Sequence, residues 1–117
     1  NLVSVFQFLI ANVDFSTFAA DEEDTCCHNQ VLFGAEDGPY YSIPYDFDMS
    51  GFVSAEYAVP NPRYGLRRIT QRYYRGHCVN NQYLAETLEL FRAKRDEILS
   101  LASIGIISNS NHQSRLQ

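Results

Sequence analysis

Two aspartates flank a single aromatic residue in the run Pro44-Tyr45-Asp46-Phe47-Asp48-Met49-Ser50-Gly51, and Asp14 and Asn29 lie upstream of it. Together they are three carboxylates and a carboxamide, all hard oxygen donors. A magnesium ion is typically held by one or two carboxylates, with phosphate oxygens and water filling its remaining positions. Phosphoryl transfer asks little covalent chemistry of a protein. It needs metal ions to neutralise the phosphates and a carboxylate to receive or orient the hydroxyl proton. Asn29, Asp46 and Asp48 can supply metal-binding oxygens, provided the chain brings them together with Asp14.

The elements around them are suited to that task. Residues 2–11 are apolar almost all round, as in a helix buried on most sides. Their β-branched and aromatic content makes a strand the competing reading. Residues 12–27 carry few periodic apolar positions and read as a long mobile loop, of the kind that is often functional. Residues 30–34 read as a short strand. Asp37-Gly38-Pro39 then gives the turn, and residues 40–45 return as the second strand. Pro44 lacks an N–H and belongs near the strand's end. An antiparallel return sets Asn29 beside Asp46. Asp14, just beyond the first helix, can be held next to both.

Further along, the spacing of Leu66, Ile69 and Tyr73 predicts a helix over 66–74, ended by Gly76. A longer helix is predicted from a cap at Asn80 or Asn81 to about Ser103. Its apolar stripe is Leu84, Leu88, Phe91, Ile98 and Leu101, and Arg92 faces Asp96 on its wet side. The fold class expected is α+β, a mostly helical lobe with a small antiparallel hairpin. One domain spans 1–107, and 108–117 is a polar, frayed tail.

Composition agrees with a folded domain. Of 117 residues 45% are hydrophobic, and eight Tyr and eight Phe suit a packed core with hydroxyls at its margin. The net charge of −5 argues against non-specific nucleic-acid binding. No stretch reads as a membrane span. Charge is uneven: Asp21 to Asp24 form an acidic run, and Arg63, Arg67, Arg68, Arg72 and Arg75 crowd one segment. Solvated faces account for both runs, and the arginines are also suited to phosphate or carboxylate. Three cysteines, Cys26, Cys27 and Cys78, give no disulfide framework and weakly favour a reducing compartment. The compartment itself is not encoded, because the chain opens directly on the apolar run without Met, as a piece of a longer protein would.

The order of these parts resembles the catalytic lobe of protein-kinase-like folds. There a buried helix leads to a catalytic Asp and a later Asn, and a hairpin then leads to a metal-binding Asp. The atypical spore-coat-protein kinase family is similar in detail, with its N-x-D element, following Asn and P-[WY]-D-x-D segment. Here Asn12-Val13-Asp14, His28-Asn29-Gln30 and Pro44-Tyr45-Asp46-Phe47-Asp48 match those elements, within residues 1–58. The resemblance implies Asp14 as the catalytic residue and Asn29, Asp46 and Asp48 as metal ligands. It further implies Mg²⁺ or Mn²⁺ with ATP, and a protein or small-molecule hydroxyl as acceptor.

The chain departs from the pattern in several ways. Asp14 and Asn29 stand 15 residues apart, against about five in a kinase catalytic loop. No Gly-rich loop or strand lysine is present, and the one lysine, Lys94, lies in the C-terminal helix. The implied partner is therefore the missing N-terminal lobe of the same protein, and the fragment alone is expected to be inactive. Two other readings stand beside this one: a non-catalytic interaction module of the same descent, and a metal-dependent phosphohydrolase using the Asp-x-Asp pair.

Each residue also has a plainer role open to it. Asp14 can cap a turn, and Asn29 can be a strand-edge residue. Asp46 or Asp48 can pair with an arginine from 63–75, with Arg72 and Arg75 the nearest candidates to the acidic pocket. His28 can be structural. Gly51 reads as a hinge needing positive φ, and Tyr45 and Phe47 read as core aromatics on one face.

Overall fold

The apolar run at the start of the chain winds into a helix, α1 (Leu2–Leu9), in a computed structural model that describes residues 1–18 and 27–103. A helix satisfies its own backbone groups, whereas a strand here would need a partner. Its buried side is Ser4, Val5 and Gln7, and Leu2 and Phe8 lie exposed. The helix ends in a Schellman arrangement. Asn12 N–H reaches back to Gln7 O (2.8 Å) and Ala11 N–H to Phe8 O (3.2 Å), with Ala11 left-handed at φ 54°. This closure turns the chain sharply and delivers residues 12–15 to the protein's centre.

The hairpin forms as the sequence predicts. Strands β1 (Gln30–Gly34) and β2 (Tyr40–Pro44) pair antiparallel, with Gln30 opposite Pro44 and Gly34 opposite Tyr40. Both strands are largely exposed beyond Gln30. Segment 50–52 then returns to α1: Gly51 N–H bonds Ala11 O and Phe52 N–H bonds Ile10 O, each at 3.0 Å.

The core is small and centred on the end of α1. Its apolar members are Val5, Ile10, Ala11, Val13, Phe15 and Cys27. Polar side chains occupy its middle, and the most completely buried are Gln7, Asn12 and Ser50. Phe47 packs edge-on against Phe6 at 5.6 Å, whereas Tyr45 is about half exposed (49%), so only one of these two aromatics joins the core.

The helix expected over 66–74 does not form. Backbone N–H groups of Arg67 and Arg68 turn instead to the Gln71 side-chain oxygen, Oε1. Further along, Arg72 and Arg75 reach out to main-chain carbonyls of the first 15 residues, which holds the segment extended against them. Before this segment, a short 3-10 turn (Pro62–Tyr64) is capped by Asn61 and ended by Gly65 at φ 64°.

The C-terminal helix is present but divided. A 3-10 segment (Cys78–Tyr83) leads into α2 (Leu84–Ala93), and α3 (Arg95–Ser103) follows across Lys94. Helical bonds run through the junction, from Lys94 N–H to Leu90 O and from Ile98 N–H to Lys94 O. Tyr83, not Asn80 or Asn81, stands at the cap of α2. The exposed ion pairs are Arg92–Glu89, Lys94–Glu97 and Arg95–Asp96, in place of the expected Arg92–Asp96. Each contributes a few tenths of a kcal/mol at most.

The architecture is thus α+β, three helices and one two-stranded hairpin among the described residues. None of those helices is long and apolar enough to cross a membrane. Cys27 is disulfide-bonded, and Cys78 carries a free, exposed thiol. The acidic run from Asp21 to Asp24 and the tail from 108 onward lie outside the described residues.

Candidate functional site

Asp14 sits on the short extended segment that leaves α1. Its N–H is held by Asn12 Oδ1 at 2.9 Å, and the buried Asn12 amide donates in turn to Gln7 Oε1 at 3.0 Å. Its main-chain carbonyl accepts from Asn29 Nδ2 at 2.8 Å. The same amide nitrogen lies 3.2 Å from the carboxylate oxygen Oδ2, and His28 Nε2 lies 3.1 Å from Oδ1. Both carboxylate oxygens are therefore oriented, yet the side chain stays 37% exposed, open to an incoming hydroxyl. The partnership with Asn29 spans 15 residues, and Ser16 N–H to His28 O (2.9 Å) ties the two strands of chain beside it.

Asn29 reaches the hairpin as well. Its own carbonyl accepts from Tyr45 N–H at 3.1 Å, extending the β1–β2 ladder by one rung. Asn29 and Asp46 are both left-handed, at φ 54° and 53°, a conformation that Asn and Asp tolerate better than most residues. The pairing that the sequence predicts at the hairpin's open end is thus present in the backbone. Asn29 connects the two halves of the site, by side chain to Asp14 and by main chain to Tyr45.

The carboxylates themselves do not all converge. Among the described residues no three His, Cys, Asp or Glu side chains gather closely enough to share an ion. Asp14 with His28 forms one group, and Asp46 with Asp48 forms another. Asp46 is exposed. Asp48 Oδ2 accepts from the Tyr57 hydroxyl at 2.7 Å. That hydrogen bond is the main reason the Asp48 carboxyl is held below its ordinary range. Desolvation opposes the shift, and Asp46 and the nearby main chain add to it. The same contact pushes the Tyr57 hydroxyl above its usual value. Neither Asp46 nor Asp48 meets an arginine among the described residues.

These two shifts fix a sign. A lowered carboxyl favours the folded state above the unfolded pKa and loses that contribution as pH falls through the folded one. A raised tyrosine favours folding below its unfolded value and loses it as pH rises. Replacing Tyr57 with Phe is expected to return the Asp48 carboxyl upward toward the ordinary value. Side-chain ¹³C titration of wild type and Tyr57→Phe checks it, and identical titration midpoints would refute the assignment.

The arginines of 63–75 divide by direction. Arg63, Arg67 and Arg68 are exposed. Arg72 Nε donates to Leu9 O at 3.1 Å, at the C-terminal end of α1, where a cation is favoured by the helix dipole. Arg75 donates to main-chain carbonyls on either side of Asp14. Both arginines thus hold backbone oxygens, and those of Arg75 flank Asp14.

Sequence reasoning singled out Asn12 beside Asp14 but missed that the polar residues positioning this site are buried. Gln7, Asn12, Gln30 and Ser50 are buried, and polarity reads as surface in a sequence. Gly51 is also different from its expected role: its φ is not positive. A Cβ there would meet Ile69 O at 2.6 Å and Thr70 Cα at 2.8 Å, so Gly51 is required by close packing. Compared with protein-family models, curated proteins and solved structures, the chain matches none.

Proposed function

We propose that this chain is the metal-binding and proton-accepting lobe of a kinase-like phosphotransferase, completed by a nucleotide-binding lobe elsewhere in its parent protein. The observation that supports this most is the Asp14–Asn29 pairing. Two residues 15 apart in sequence are joined by side-chain and main-chain hydrogen bonds at the open end of a hairpin that also bears Asp46. Asp14 would receive or orient the acceptor's hydroxyl proton, being oriented at both oxygens and still accessible.

The donor set fits a divalent ion. Asn29 spends its amide nitrogen on Asp14 and keeps Oδ1 as an oxygen ligand. Asp48 keeps one carboxylate oxygen beyond the one held by Tyr57, and Asp46 is exposed beside it. These are hard oxygens, suited to Mg²⁺ or Mn²⁺. A bound ion would neutralise the triphosphate of ATP. Phosphate oxygens and water would supply the remaining ligands.

The test is calorimetric titration of the parent protein with Mg²⁺ and ATP, in wild type, Asp46→Asn and Asp48→Asn. At least one variant is expected to weaken binding by about tenfold or more, roughly 1.4 kcal/mol. Binding unchanged in both would remove the proposal.

A non-catalytic interaction module is the second reading, favoured by the hairpin. Val31, Phe33, Tyr41 and Ile43 form one face by their register and are all substantially exposed. A lone hairpin of this kind is marginal in water and gains from being covered. Failure of the wild-type parent to bind nucleotide would favour this reading.

A further inference from the structure

Three successive main-chain carbonyls around Asp14 are each engaged, and they alternate in direction. Those of Val13 and Phe15 both accept from one nitrogen of Arg75, the former at 2.7 Å. That of Asp14 faces the other way and accepts from Asn29 Nδ2 at 2.8 Å. Alternation of this kind is the signature of extended chain. The Val13 carbonyl lies in the peptide plane before Asp14 and the Asp14 carbonyl in the plane after it, so Arg75 and Asn29 together fix both planes that flank Asp14, and with them the direction of its Cα–Cβ bond.

Arg75 is itself held. Its guanidinium carbon lies 4.9 Å from the Phe15 ring centroid and 4.9 Å from that of Tyr64. Tyr64 is in turn stacked on Tyr73 at 5.0 Å. A planar guanidinium between two aromatic rings is stiff, and it aims the two N–H groups of one terminal nitrogen at two acceptors in fixed directions. Lysine keeps the charge and can also donate twice, but it lacks the planar group that stacks between the rings and fixes the direction of its donors.

We infer that Arg75 is a positioning residue, which sets the orientation of Asp14 through the Val13 and Phe15 carbonyls. The inference deepens the proposed function and rests on Asp14 being the working carboxylate there. Arg75 clamps the Asp14 segment from one side while Asn29 holds it from the other. Removing the clamp frees the plane before Asp14 and the one after Phe15, leaving the middle plane to Asn29 alone, and the bonds from Asn29 loosen first.

The readout is the Asn29 side-chain amide, followed by NMR in the 117-residue chain. Its solvent exchange in Arg75→Lys is expected to quicken by about tenfold, the scale of losing a hydrogen bond to a charged group. Backbone amides of α1 should keep their protection, and Arg68→Gln, an exposed control, should change neither. Unchanged Asn29 exchange in Arg75→Lys overturns the inference. So does an equal loss of protection in α1, or unfolding of both Arg75→Lys and Arg75→Gln, because Arg75 would then be general scaffold. A parent protein that binds no nucleotide would defeat the proposed function, yet leave the Asn29 readout to decide the role of Arg75.

Discussion

Replacing Gly51 with Ala is expected to destabilise the protein by about 3 kcal/mol, the upper end of what overpacking costs. The added methyl carbon would lie 2.6 Å from Ile69 O, 2.8 Å from Thr70 Cα and 2.9 Å from Ala11 Cβ. Two of these three are backbone atoms, which cannot swing aside as a side-chain end can. Gly51 cannot retreat either, since its N–H bonds Ala11 O and its neighbour Phe52 bonds Ile10 O. The strain must pass into segment 69–75, which carries Arg72 and Arg75, and so into the chain on both sides of Asp14. In a domain whose whole stability is of order 5–15 kcal/mol, that is a large fraction. Urea unfolding measures it as a fall in midpoint at unchanged slope. Gly65→Ala is the comparison: nothing lies within 4 Å of its Cβ position, but φ is +64°. It should cost about 1 kcal/mol from backbone strain alone. Equal effects at the two glycines would refute the packing explanation.

The hairpin was readable because its signals are local. Asp37-Gly38-Pro39 marks the turn, β-branched and aromatic residues flank it, and register follows from the two. The placement of Asn29 beside the start of the acidic segment came with that register. Helix α1 was readable from its apolar run, and its end from the polar residues that follow. The 66–74 segment was not, because its apolar spacing is helical while its bonds are made by side chains. Gln71 takes two backbone N–H groups, and Arg72 and Arg75 are drawn to carbonyls more than 50 residues away in sequence. Long-range capture of this kind leaves no periodic trace.

The same limit explains what was misread at the site. Each arginine of 63–75 looks equally suited to an anion, yet two of them serve main-chain oxygens. Gly51 looks like a hinge, because glycine in a loop most often marks positive φ, and here the reason is distance to another segment. Nor does the sequence show that Tyr57 holds one carboxylate oxygen of Asp48.

Asn12→Ala is the second large effect, and it joins stability to the site. Asn12 is 1% exposed and carries two bonds, a buried one to Gln7 Oε1 and a part-buried one from the Asp14 N–H. Truncation leaves the Gln7 oxygen buried and the Asp14 N–H half-buried without a counterpart, at up to about 1–3 kcal/mol each. The expected loss is about 3–4 kcal/mol in urea unfolding. Gln7 offers the test of mechanism. Its side chain is fully buried, and its Nε2 already has no partner. Gln7→Met keeps much of the volume and removes both polar atoms, so it should cost less than Asn12→Ala. In the double variant no Gln7 oxygen is left stranded, and the two changes should total less than their sum by about 1 kcal/mol. Strict additivity would show that the Gln7–Asn12 bond contributes nothing. A shortfall from additivity would instead show that a buried polar chain, Gln7 to Asn12 to Asp14, carries order from the centre of α1 to the carboxylate. The polar middle of the core then has a purpose that an apolar one would not serve. It gives up some stability to fix where one backbone N–H, and the aspartate it belongs to, must point.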